Sequence, residues 1–165
     1  MVKSAVTNIS VMYNVALVTL GKLPNDIRLI SDIFNCIAGQ NINIDMISQA
    51  PPYKGTINLS FSLPSEHILK ALTELNKFKK NVPQLVIEVD AHNTKISVFG
   101  KKMKELPGVA ASFFTVLASN SIDIKLVTTS EVDISCLIYE KDVDKALESI
   151  QYEFEIDSGA INSLS

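Results

Sequence analysis

Polar and apolar residues alternate loosely along Val6-Thr7-Asn8-Ile9-Ser10-Val11-Met12 and predict a first strand ending near Asn14. The next run, Val15 to Leu20, is almost wholly apolar and stops at Gly21, as suits a strand covered on both faces or lying at an interface. Pro24, Asn25 and Asp26 then supply loop chemistry. From Ile27 the period changes: Ile30, Ile33, Phe34 and Ile37 form one apolar stripe, with Asp26 placed to cap the helix and Gly39 and Asn41 to end it. A strand from Asn43 to Ser48 follows, then a loop through Pro51, Pro52 and Gly55. Thr56 to Leu63 alternates strictly, the mark of a half-buried antiparallel strand. Ser65 is placed to cap a helix carrying Ile68, Leu69, Leu72 and Leu75, and Leu85 to Val89 gives another strand.

The order then repeats. Asn41 to Gln49 returns as Ser121 to Thr129 at an offset of 80 places, Ile42 falling on Ile122, Ile44 on Ile124 and Met46 on Leu126. In the second copy Lys95 to Gly100 is the opening strand. Leu106-Pro107-Gly108 leads into a helix bearing Val109, Phe113, Val116 and Leu117. Strands from Asp123 to Thr128 and Val132 to Ile138 precede a helix from Asp142 to Ile150. The segment Tyr152 to Ile156 is a poor fourth strand, and 157–165 reads as a polar tail. The surplus strand at Val6 to Met12 is the natural substitute. The pattern therefore predicts an α+β fold: two ferredoxin-like βαββαβ units with antiparallel sheets and helices on one face, the first inserted in the second. Residues 15–90 would form the first unit, and 1–14 with 91–156 the second.

Composition narrows the function. The 165 residues are 47% hydrophobic and 20% charged, ordinary for a globular chain. A net charge of −3 argues against a nucleic-acid partner. The apolar runs are too short to span a bilayer, and Met1 to Ala5 lead into no signal-like apolar core, so no membrane role is expected. Cys36 and Cys136 read as small buried hydrophobes rather than a disulfide or zinc framework, which points to a reducing, cytoplasmic setting. His67 and His92 are too far apart to suggest a metal site. No phosphate-cradling glycine loop and no nucleophile–base arrangement is present, so neither catalytic residues nor cofactors are expected.

A βαββαβ unit whose first strand ends in Gly and runs through a loop into a helix resembles the ACT domain, a ligand-sensing module. The tandem pair, with Met103, Leu106-Pro107-Gly108-Val109-Ala110-Ala111 and Thr128-Thr129-Ser130-Glu131-Val132, resembles the regulatory region of aspartokinases. Asn41 to Ile47 is similar to the first ACT copy of that family, and the likeness covers nearly the whole chain. It implies that the ATP-dependent kinase domain, which phosphorylates the aspartate carboxyl group, lies outside this stretch. Met1 would then open either a trimmed piece of a longer kinase or a separately translated short beta subunit.

The resemblance also implies an effector: lysine, threonine or both, acting by feedback inhibition on amino-acid biosynthesis, with methionine a further candidate. It implies a homodimer through the ACT units and association with an aspartokinase catalytic domain or alpha subunit. Its effector pocket would take in Leu23, Asp26, Arg28, Leu29, Ile30, Asn43, Ile44 and Asp45. Thr129, Ser130 and Glu131 match its feedback-control motif and would face a neighbouring unit. A second effector site would comprise Met103, Pro107, Gly108, Val109, Ala110, Asp123 and Ile124. Helix-start amides suit the effector carboxylate, the dipole alone contributing about 0.3–1 kcal/mol. One departure stands out: Ile27-Arg28 replaces the family's frequent Pro-Gly, which the second copy keeps as Pro107-Gly108. Arg28, the chain's only arginine, could clamp a carboxylate, block the pocket or lie in solvent. The competing reading is an ACT assembly subunit that senses another amino acid for a different enzyme.

Overall fold

In a computed structural model, which describes residues 2–164, the chain divides into two compact units. Asn14–His92 form an inserted unit, and Met1–Tyr13 with Asn93–Ser165 form a split unit. Two long strands carry the chain across the division: β1 (Asn8–Pro24) and β4 (Val86–Phe99). Sequence patterning divides each of these in two, because Asn14 and the turn-like residues from Asp90 to Asn93 interrupt the alternation. The interruptions are backbone kinks within continuous strands. Asn14 (φ 57°) and His92 (φ 61°) take the left-handed conformation, which both residue types tolerate better than most.

In the inserted unit β1 pairs antiparallel with β3 (Thr56–Pro64), from Val15 opposite Pro64 to Pro24 opposite Thr56. Short β2 (Ile47–Gln49) lies on the far side of β3, and β4 flanks β1, giving the order β2-β3-β1-β4. Gly21 does not end the strand. A bulge between Leu20 and Leu23 adds a residue instead, so the inward set passes from Ala16, Val18 and Leu20 to Leu23 without leaving the core. Helices α1 (Ile27–Ala38) and α2 (Ile68–Lys77) cover this face with Ile30, Ile33, Ile37, Ala71 and Leu75. Asp26 caps α1, accepting a 2.9 Å hydrogen bond from the Arg28 amide. Ser65 does not cap α2: residues Ser65–His67 form a 3-10 turn whose lead-in makes no side-chain cap. The expected strand over Asn43–Ser48 shrinks to Ile47–Gln49. The Asp45 amide donates to the Ser62 carbonyl and the Met46 amide to the Ser62 hydroxyl, so two successive amides spend themselves on one residue and the ladder stalls.

The split unit has the corresponding order, β5-β6-β4-β1, with β5 (Ile124–Thr129) and β6 (Asp133–Tyr139) antiparallel. Ile96 faces Cys136 across β4 and β6, and the Thr7 amide donates to the Phe99 carbonyl at 2.8 Å. Helices α3 (Val109–Ser119) and α4 (Val143–Phe154) bury Phe113, Leu117, Ala146, Ile150 and Phe154 against Ile9, Val11, Ile96 and Val98. The first strand half thus completes the second sheet. Two readings of the C-terminal stretch need correction. Tyr152 to Phe154 continue α4 because Phe154 keeps the helical spacing from Ala146 and Ile150 into the core. Residues 157–165 are not simply a tail: β7 (Ile161–Leu164) pairs parallel with β1, Ile9 opposite Ile161 and Met12 opposite Leu164. It satisfies an edge that β1 would otherwise present to solvent.

Candidate functional site

The two units present their helix starts in different chemical states. In the inserted unit Asp26 occupies the cap position, its carboxylate on the Arg28 amide and its carbonyl accepting from Ile30 at 3.1 Å. Leu23 and Ile30 are core residues there, and Leu29 and Ile44 are half-buried. Arg28, Asn43 and Asp45 are exposed, and Ile27 is 76% exposed. That end therefore has its own anion already seated on the helix amides.

The split unit has no such anion. Gly108 holds the cap position at φ 96°, where a side chain is strained, and contributes no side-chain cap to α3. The first-turn amides of α3 are consequently open to an outside acceptor. Facing them is a cavity of about 240 Å³ lined by Met103, Gly108, Val109 and Ala110 on one side and by Thr129, Ser130 and Glu131 on the other. Leu106 and Ile134 complete its apolar wall. The β5–β6 turn is pinned by the Ser130 amide on the Asp133 carbonyl (2.9 Å) and the Val132 amide on the Ser130 hydroxyl (3.3 Å).

The grouping drawn from sequence is thus rearranged. Thr129, Ser130 and Glu131 share one cavity with Met103, Gly108, Val109 and Ala110, all inside the split unit. Pro107, Asp123 and Ile124 do not line it. Leu106 and Ile134 were not singled out as site residues. Leu106 had a visible signal in its place beside Pro107-Gly108, whereas Ile134 looked like any other inward strand residue.

The cysteines sit apart from this chemistry. Cys136 is fully buried, and burial pushes its thiol up to about 12. Cys36 is only half-buried and is not a plain hydrophobe: its thiol donates to Glu74 Oε2 at 3.1 Å. Burial and that carboxylate raise it above its ordinary value. Glu74 in turn accepts from Lys77 Nζ at 2.6 Å, the hydrogen bond that chiefly holds its carboxyl below the usual range. Among the described residues no group of three His, Cys, Asp or Glu side chains could hold a metal ion, and no helix is long and apolar enough to cross a membrane.

Known proteins bear on this geometry directly. The ACT domain family matches residues 96–154, which include the lining from Met103 to Ile134. A chain from a crystal structure of aspartokinase alpha and beta subunits is 31% identical, with a TM-score of 0.83, and the match covers 92% of this chain and 99% of that one. The chain belongs to the aspartokinase family. An aspartokinase of Bacillus sp. (strain MGA3) is 37% identical over 146 residues, which are 88% of this chain and 36% of that protein. The chain therefore spans about a third of the length of the curated relatives it matches. In fold it also matches the ligand-free regulatory subunit of aspartate kinase from Thermus thermophilus (24% identity, TM-score 0.80, covering 91% of this chain and 99% of that one). Its two units are the tandem ACT units of an aspartokinase regulatory region.

Proposed function

We propose that this chain is the amino-acid-sensing part of an aspartate kinase and mediates feedback inhibition by lysine, threonine or both. Copies of the chain pair through their ACT units, and the pair acts on an aspartokinase catalytic domain or alpha subunit. The observation that carries the reading is the open start of α3 at Gly108, facing Thr129, Ser130 and Glu131 across the cavity. The effector carboxylate takes the first-turn amides, and the Glu131 carboxylate with the neighbouring hydroxyls takes the ammonium. Met103, Leu106 and Ile134 shape the space for the side chain. The start of α1, already capped by Asp26, is the weaker candidate; Arg28 beside it lies in solvent. A ligand that binds one arrangement of units in preference to another shifts the equilibrium between them, by about 2.7 kcal/mol at 100 times its dissociation constant if only one state binds.

Calorimetric titration of the chain with lysine, threonine and methionine tests this. Heat of binding is expected with lysine or threonine, with Glu131→Gln weakening it about tenfold, or roughly 1.4 kcal/mol. Absence of both heat and thermal shift with all three amino acids would sink the sensing role. Binding lost on Asp26→Ala and kept in Glu131→Gln would move the site to the inserted unit.

A further inference from the structure

The second helix of each unit is built on one plan with opposite charge. The 3-10 turn and helix at Ser65–Lys77 superpose on those at Glu140–Phe154 at an offset of 75 places, Ala71 falling on Ala146 and Leu75 on Ile150. Over 65–81 there are four lysines and two glutamates, and over the matching 140–156 six carboxylates and two lysines. The inward faces agree, so the difference is confined to the outward ones. On α2 the outward face carries Leu69, 80% exposed, with Lys70 beside it, and Lys79 and Lys80 follow in the 3-10 turn Phe78–Lys80 at the far end of the helix. None of these three lysines has an ionic partner among the described residues. On α4 it carries Glu148, Glu153 and Tyr152, the last 84% exposed. Neither of these carboxylates is paired among the described residues. Both lysines of that segment are engaged locally, Lys145 on the Asn120 carbonyl and Lys141 over the Tyr139 ring.

Glu148 and Glu153 line a groove of about 580 Å³ between α3 and α4, next along α3 from the effector cavity: Ala110 lines the cavity and Ala111 the groove. Beside Val116, its α3 side presents Ala111, Ser112, Thr115 and Ser119, side chains short enough to let another helix approach closely, and α3 bears no charge. Two such grooves facing each other would set Glu148 and Glu153 against their own copies, which disfavours a symmetric groove-to-groove contact. The complementary surface on the chain is the basic one formed by α2 and the 3-10 turn after it.

We propose that the basic surface of α2 and the 3-10 turn after it in one copy of the chain docks into the acidic groove between α3 and α4 of a second copy. Leu69 enters among the small α3 side chains, and Lys70, Lys79 and Lys80 meet Glu148 and Glu153. Each copy carries both surfaces. This rests on the pairing of copies proposed above and names the surfaces that make it. Such a contact is electrostatically steered and weakens as salt screens it beyond a Debye length of about 10 Å at 0.1 M.

Sedimentation velocity on two charge-reversed chains tests the contact: one with Lys70→Glu, Lys79→Glu and Lys80→Glu, the other with Glu148→Lys and Glu153→Lys. Lys70, Lys79, Lys80 and Glu148 are exposed and Glu153 is half-buried, and thermal unfolding confirms each fold; Lys79→Gln with Lys80→Gln serves if a reversed chain misfolds. The unmodified chain is expected to self-associate at low salt and weaken as salt rises. Each reversed chain alone is expected to lose at least tenfold in association, and an equimolar mixture to regain it. Reversed chains that associate like the unmodified one, or a mixture that fails to recover, would overturn the docking surface and leave pairing itself intact. An unmodified chain that stays monomeric at every salt concentration would overturn the pairing as well.

Discussion

Gly100 and Gly108 both open the loop region before α3, yet they are glycine for different reasons. Gly100 is extended (φ −174°), a conformation any residue adopts, but a Cβ there would overlap the Ala5 carbonyl oxygen and stand 3.1 Å from Val6 Cα. At Gly108 a Cβ would meet only Val2 Cγ2, at an ordinary 4.0 Å, and the constraint is a positive φ instead. Gly100→Ala is therefore expected to displace backbone and cost about 1–3 kcal/mol, as overpacking does. Gly108→Ala should cost about 1–2 kcal/mol through the left-handed backbone alone. Gly108→Asn should recover part of that loss, whereas Gly100→Asn should be worse than Gly100→Ala. Urea midpoints of the four variants separate the two causes.

Cys136 gives a residue-level pH dependence whose sign follows from burial. Its thiol titrates near 12 when folded, against an ordinary value of 9.0 for the unfolded chain. Between those values the unfolded state binds fewer protons than the folded one, so stability is fully present below about pH 9 and declines as pH rises toward 12. Cys136→Ala should lower stability overall through the cavity it leaves, yet flatten the decline in that window. Denaturant titrations at a series of alkaline pH values would show whether the slope persists without the thiol.

At the scale of elements, the helices were the most legible part of the sequence. The stripes from Ile30 to Ile37 and Val109 to Leu117 report packing that is local and periodic. Strand ends were less legible because their limits depend on partners distant in sequence. Nothing near Gly21 announces that Leu23 will face Ile57, and nothing near Asn43 announces that Ser62 will take two successive amides. The candidate site divided the same way. Its motif residues stood out locally, but only the register of β5 on β6 brings Thr129 to Glu131 opposite Gly108.

The sequence showed β7 least of all, since four residues with only Ile161 half-buried carry no periodicity to read. Its role is nonetheless specific, because it pairs with β1 from Ile9 to Met12. Deleting 161–165 should speed amide exchange at those positions of β1 that bond toward β7. The alternate positions, bonded toward β4, should remain slow. Uniform acceleration along β1 would mean instead that β7 holds the whole strand in place.

For the whole molecule, the division of the two cores along the chain decides what can be cut apart. Every buried residue of the inserted core, from Ala16 to Leu85, lies within 14–92. The split core takes Ala5, Val6, Ile9 and Val11 from the start of the chain, and nothing between 12 and 95 supplies them. An excised 14–92 chain keeps all four strands of its sheet and both helices, so it should unfold cooperatively on its own. A 93–165 chain lacks the strand between β4 and β7 and should stay loosely packed, exposing the apolar side chains that Ile9 and Val11 normally cover. Adding a peptide of residues 1–13 should restore a cooperative transition, and a peptide carrying Ile9→Asp and Val11→Asp should not, because burying two unpaired charges outweighs the strand pairing gained. Cooperative folding of 93–165 without the peptide would show that the helices and the mutually paired strands β4, β5 and β6 suffice. The N-terminal strand would then be an accessory to that unit rather than part of its core.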